Sequence, residues 1–181
     1  MAKSLFHISR FSKTSKTVQK CLSIVADIAN YHITSRFVPL PPKRVLIALT
    51  YWCNSRCIMC NIWKMRPKNE LSLTEWSSII NDPIFKNIEA LDITGGEPTL
   101  RKDFIQILTL FIQSMPKLHT VTLVSNGFST THIVTTVERL AIICRQYNIH
   151  LSVNISIDGV GEMHQTIRRI PNAFKKSTKN W

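Results

Sequence analysis

Apolar positions along the chain fall into two alternating periods. Strand-like apolar runs occur at 44–50 (RVLIALT), 89–94 (EALDIT), 119–125 (HTVTLVS) and 150–157 (HLSVNISI). Between them, the stretches 73–81, 102–114 and 130–146 carry apolar residues at helical spacing, with Thr74 as the expected N-cap of the first. Strands alternating with helices predict parallel βαβ units wound right-handedly. Upstream, Val18, Leu22, Val25 and Ala29 recur at helical spacing, with Cys21, Ile24 and Ile28 alongside. They predict an amphipathic helix over 14–36, packed on the outside of the body. Pro39, Pro41 and Pro42 end it and stiffen the link that follows.

Counting units bounds the architecture. A complete eight-unit barrel takes about 250 residues, roughly 31 per unit. The 138 residues from 44 to 181 therefore hold about four units. The expected fold class is α/β, a partial TIM-like (β/α) barrel of about four βα units preceded by an N-terminal helix. Three segments follow: a basic extension over 1–43, the partial core over 44–174, and a tail outside the core over 175–181. The run from His164 to Phe174 reads as the approach to a fourth crossover helix, which KKSTKNW does not continue. The expectation is a truncated chain whose last strand lacks its covering helix.

Composition suits a globular core, with 44% hydrophobic and 19% charged residues. No run approaches the roughly 18 apolar residues of a membrane helix. The net charge of +12 looks at first like a nucleic-acid signal. Residues 1–44 carry eight Lys/Arg against Asp27 alone, residues 165–181 carry five bases and no acid, and residues 45–164 balance ten bases with ten acids. A basic groove needs its charge within the folded body, so solvated basic ends are expected and no nucleic-acid partner. The first twenty residues, basic and free of acids, weakly match an organelle-targeting presequence.

Five cysteines are too few and too unevenly placed for a disulfide framework. Cys21 and Cys144 sit within helical apolar patterns and are expected to be small buried hydrophobes. Cys53, Cys57 and Cys60 differ, because they form C-x3-C-x2-C directly after the first strand. Three thiolates on one loop can hold three corners of a cubane iron–sulfur cluster and leave the fourth iron open. Structural zinc wants four ligands, usually as two pairs. The ferredoxin run C-x2-C-x2-C-x3-C-P is absent. Free thiolates imply a reducing compartment, and the cytoplasm is the expected location.

The other strands end in equally unusual loops: Thr94-Gly95-Gly96-Glu97-Pro98, Ser125-Asn126-Gly127 and Ser156-Ile157-Asp158-Gly159. In barrel folds the C-terminal strand ends share one cavity mouth. Two glycines let a ligand approach backbone amides, and Glu97 offers a carboxylate for a ligand ammonium.

Through CNSRCIMCNIWK, LDITGGEPTLR, VSNG and SIDGVGEMHQTIR, the chain from about Val45 to Phe174 resembles the radical S-adenosylmethionine enzymes. It most resembles the branch with SPASM or Twitch extensions. The resemblance implies that Cys53, Cys57 and Cys60 ligate a [4Fe-4S] cluster whose fourth iron is chelated by S-adenosyl-L-methionine. Met59 would contact the adenine part, the Gly95–Gly96–Glu97 edge would receive the methionine ammonium, and Ser156, supported by Asp158 or Asn126, would touch the carboxylate or ribose. Reductive cleavage would give a 5′-deoxyadenosyl radical for hydrogen abstraction, as in an oxidoreductase or maturase. The implied partners are a flavodoxin- or ferredoxin-like electron donor and a peptide or protein substrate. Asp92 stands where the family's GTP cyclases carry an arginine for the triphosphate, and an acid there argues against a GTP cyclase. An iron–sulfur electron-transfer module and a non-functional remnant are the competing readings.

Overall fold

The run RVLIALT forms strand β1 (Arg44–Thr50), and three further parallel strands follow: β2 (Ala90–Gly95), β3 (Thr120–Ser125) and β4 (His150–Ile155). This computed structural model describes residues 16–33, 36–37, 39–65, 67 and 69–179. Most of the presequence-like run at 1–20 lies outside those residues. The strands are ordered β1-β2-β3-β4, each beside its sequence neighbour. Ile47 aligns with Ile93, Ile93 with Leu123, and Leu123 with Val153.

The sheet has two chemically different faces because successive strand residues point to opposite sides. Leu91, Ile93, Val121 and Leu123 are fully buried beneath the crossover helices. Asp92, Thr94, Thr122 and Ser152 occupy alternate positions, so the opposite face carries polar groups, with Leu46 and Ala48 of β1 beside Asp92 and Thr94. Helices α2 (Leu73–Ile80), α3 (Phe104–Ser114) and α4 (Thr130–Gln146) connect the strands, with helix α1 (Lys16–His32) upstream. Phe104, Ile107, Leu108 and Phe111 of α3 form the centre of the core, joined by Ile80, Leu140 and Cys144. This is the α/β, partial TIM-like architecture expected from the strand–helix alternation.

The chain divides into two units, residues 1–41 and 42–181. In the first, α1 covers most of the predicted helix, and Cys21 is exposed rather than buried. A single amphipathic helix cannot bury its cysteine by itself. Cys144 is buried, and burial pushes its thiol up to about 11.

Two local expectations change. The N-cap of α2 is Ser72, not Thr74: its hydroxyl accepts from the Glu75 N–H, and the Glu75 carboxylate accepts from the Ser72 N–H at 2.8 Å. That reciprocal pair is a capping box, and Thr74 already lies inside the helix. After β4 the chain forms two short helices, α5 (Glu162–Arg168) and α6 (Ala173–Thr178). The segment placed outside the core at 175–181 is thus helical through Thr178, with Ser177 buried.

Candidate cofactor site

The cysteine loop leaves β1 and passes directly over the end of β2. Gly96 N–H donates to the Thr50 carbonyl at 2.7 Å, and Glu97 N–H donates to the Trp52 carbonyl at 2.8 Å. A Cβ on Gly95 would lie 2.3 Å from the Thr50 oxygen, and one on Gly96 would lie 2.1 Å from the Trp52 oxygen. Gly95 also has φ +130°, which L side chains rarely adopt. The glycines are therefore demanded by the cysteine loop itself. The Gly96 and Glu97 amides are thereby already used within the fold.

The same loop is braced from the far edge of the sheet. Arg56 N–H donates to the Arg168 carbonyl at 3.2 Å, and Ile58 N–H donates to the Ile167 carbonyl at 2.9 Å. These carbonyls belong to the last turn of α5, where helix acceptors lack intrahelical partners. The cysteine loop is thus held just before Cys53 by the turn that follows β2, and between Cys53 and Cys60 by α5.

Within it, Cys57 is buried, and Cys53 and Cys60 are half-buried. The Ser55 hydroxyl lies 3.0 Å from Cys57 Sγ, and the Ser55 N–H points at Cys53 Sγ from 3.4 Å. Asn126 Nδ2 donates to Asn54 Oδ1 at 2.7 Å and lies 3.9 Å from Cys53 Sγ. Burial pushes the Cys53 thiol up, opposed by the Ser55 N–H. Among the described residues no three His, Cys, Asp or Glu side chains converge on one metal ion. A zinc centre needs such convergence, whereas a cubane takes each thiolate on a different iron. Three thiols on one loop are the donor type that iron–sulfur clusters use.

All three cysteines line one cavity of about 270 Å³, together with Met59, Gly95, Gly96, Asn126, Ser156 and Asp158. The topology therefore brings together nine of the ten site residues expected from the sequence. Glu97 is the tenth, and it does not line the cavity. Its carboxylate is fully buried and accepts from Thr99 Oγ1 at 2.7 Å, Ser125 Oγ at 3.0 Å and Asn126 N–H at 2.8 Å. Glu97 turns inward and ties the Gly-Gly loop to the end of β3.

Three contributors escaped the sequence reading. Ser55 supplies donors to two cysteines. Arg168 lines the cavity with its guanidinium: Nη1 lies 3.5 Å from Cys57 Sγ, Nη2 donates to the Ser156 carbonyl at 3.1 Å, and Nε pairs with Asp158. His164 is fully buried; its Nδ1 accepts from Asp158 N–H at 3.0 Å, and its Nε2 lies 3.4 Å from Ser177 Oγ. The Ser177 hydroxyl in turn donates to the Asn126 carbonyl at 2.7 Å, so α6 supports a cavity residue. Burial, and then the Arg168 charge, pulls His164 below the ordinary imidazole range against the pull of Asp158. Asp92 lies outside the cavity lining, paired with Arg44 at 2.6 Å, and that hydrogen bond lowers its carboxyl. Both Arg168 and His164 lie within the SIDGVGEMHQTIR stretch that carries the resemblance, but the sequence assigned neither a role, and their contacts arise from the fold.

A family model described as the Radical SAM superfamily matches residues 47–181. Curated relatives include a protein named "Probable GTP 3',8-cyclase" from Methanopyrus kandleri, 36% identical over 47% of this chain and 27% of its own length. The GTP 3',8-cyclase of Haemophilus ducreyi is 32% identical over 74% of this chain and 41% of its own. Molybdenum cofactor biosynthesis protein 1 of Drosophila melanogaster is 28% identical over 75% of this chain and 22% of its own. The chain spans about two fifths or less of the length of these relatives.

Proposed function

The chain belongs to the Radical SAM superfamily, and on that premise we propose that it is a core that binds a [4Fe-4S] cluster and S-adenosyl-L-methionine. One observation carries the reading: Cys53, Cys57 and Cys60 line the same cavity as Gly95, Gly96, Asn126 and Ser156, four strand ends meeting at one mouth. The three thiols would hold three irons and leave the fourth for the amino and carboxylate groups of S-adenosylmethionine. When bound, this pair of cofactors supplies reductive cleavage to methionine and a 5′-deoxyadenosyl radical that abstracts a substrate hydrogen.

The chain's own groups divide the remaining work. The Gly95–Gly96 backbone faces the cavity with its nearby N–H donors spent, which suits a ligand ammonium needing acceptors. Glu97 holds that edge from behind and makes no direct contact. Asn126 and Ser156 present polar groups toward the carboxylate or ribose, and Met59 offers a polarisable apolar surface to the adenine. Asp158 is committed to Arg168, so its part is support of this wall.

The substrate divides two chemistries. A peptide or protein substrate gains no support from the relatives, two of which are named as GTP 3',8-cyclases. Arg44 neutralises the Asp92 carboxylate, which therefore repels a nucleotide less. A nucleotide is therefore the better-supported class. A flavodoxin- or ferredoxin-like protein is the proposed electron donor, in a reducing compartment such as the cytoplasm. Among the described residues no helix is long and apolar enough to cross a membrane.

The test is anaerobic reconstitution with iron and sulfide, reduction, and addition of S-adenosylmethionine. The reading expects a perturbed electron paramagnetic resonance signal and released 5′-deoxyadenosine. A cluster that never cleaves the cofactor would instead support an electron-transfer module.

A further inference from the structure

We propose that Arg168 is a positioning residue for the cluster: it holds Cys57 as a ligand and raises the cluster's reduction potential, with Asp158 as the counter-charge that aims it. The inference rests on the reading that the three cysteines carry the cluster.

Arg168 grips the cysteine loop by two independent routes. Its carbonyl accepts from Arg56 N–H at 3.2 Å, which fixes the backbone immediately before Cys57. Its guanidinium reaches Cys57 Sγ at 3.5 Å while also bonding the Ser156 carbonyl and the Asp158 carboxylate. Three different nitrogens of one rigid plane serve the sulfur, the carbonyl and the carboxylate, a spread that a single lysine nitrogen does not reproduce.

The charge matters because of where it sits. The Arg168 side chain is 12% exposed, and Cys57 is buried, so solvent screens the pair weakly. Hydrogen bonds to cluster sulfurs and local net charge are two of the levers that set iron–sulfur potentials. Among the described residues, the donors to Cys53 are neutral, from Ser55 and Asn126. Cys57 receives the cation. One-electron reduction by an external reductant adds negative charge to the cluster, and a cationic donor at its thiolate stabilises that state. Asp158 offsets the effect, so removing each partner shifts the potential in opposite directions.

The experiment is an electron paramagnetic resonance titration with dithionite, without S-adenosylmethionine, on the reconstituted chain and its Arg168→Gln, Arg168→Lys and Asp158→Asn variants, with iron counted in each. In Arg168→Gln the reduced-to-oxidised ratio at a fixed potential should fall about tenfold, a shift of about 59 mV for one electron. Arg168→Lys should fall between parent and Arg168→Gln, and Asp158→Asn should shift the other way. A purely structural brace would change iron content but leave the potential of loaded protein in place. An unchanged midpoint in fully loaded Arg168→Gln, or shifts of the same sign in Arg168→Gln and Asp158→Asn, overturns the proposal. Should Arg168→Gln hold no iron, the sign of the Asp158→Asn shift decides it: upward supports, none or downward refutes. Failure of the parent chain to bind iron overturns the cysteine reading and this inference with it.

Discussion

Replacing Glu97 separates a carboxylate that serves the fold from one that serves a ligand. The side chain is fully buried, and its two oxygens accept from Thr99 Oγ1, Ser125 Oγ and Asn126 N–H. In Glu97→Gln the oxygen can stay on the Asn126 N–H, while the new amide turns toward Thr99, whose backbone N–H lies 3.4 Å away and cannot accept. A hydrogen bond to a charged group contributes about 1.5–3 kcal/mol, so the loss should be about 2 kcal/mol. For a chain of this length that corresponds to a melting temperature lower by about 4–8 °C. Glu97→Ala strips all four donors of their acceptor and should cost about 4 kcal/mol or more, a large part of a stability of about 5–15 kcal/mol. Thermal unfolding of the cofactor-free, reduced protein by circular dichroism measures both. A Glu97→Gln variant that melts with the parent but binds S-adenosylmethionine more weakly would refute the clamp and restore a direct contact.

Two further perturbations test the loop and its support. Gly96→Ala forces a methyl to 2.1 Å from the Trp52 carbonyl; backbone must move, at a cost of about 1–3 kcal/mol or more, so iron uptake and melting temperature should fall together. An alanine variant with the parent's melting point would contradict the close approach. His164 titrates below its usual 6.5 in the folded chain, so the unfolded chain takes the proton first as pH falls. Its stability contribution is therefore complete above about pH 6.5 and is lost as pH drops through the lower, folded value. Denaturant unfolding at pH 7.5 and 5.5 should show a decline in the parent that is smaller in His164→Gln; equal declines would count against it.

Much of this architecture was legible because parallel strands buried on one face keep Val, Ile and Leu at alternate positions, as in Leu91–Ile93 and Val121–Leu123. The cysteine spacing and the strand-end loops located the cavity, since parallel strands bring their C-terminal ends to one side. The direction of a side chain was not legible. Glu97 beside two glycines looks like a ligand group, yet Thr99, Ser125 and Asn126 supply enough donors to draw it inward. Arg168 reads as one charge in a basic end, and its contact with Cys57 joins positions 111 residues apart. Ser177 shows the same limit: burial against Gly127 and Asn126 makes a polar tail residue part of the site wall. By contrast, the Ser72-Leu73-Thr74-Glu75 capping box was present in the sequence, and its S-x-x-E pattern outranks a threonine two positions later.

The central claim is that Cys53, Cys57 and Cys60 together hold one cluster in this chain. Iron and acid-labile sulfide per chain after anaerobic reconstitution, measured for the parent and for Cys57→Ala, test it most directly. The parent should hold about four irons and four sulfides, and Cys57→Ala should lose nearly all of both. Equal iron in the two proteins, or a single iron per chain without sulfide, would contradict it.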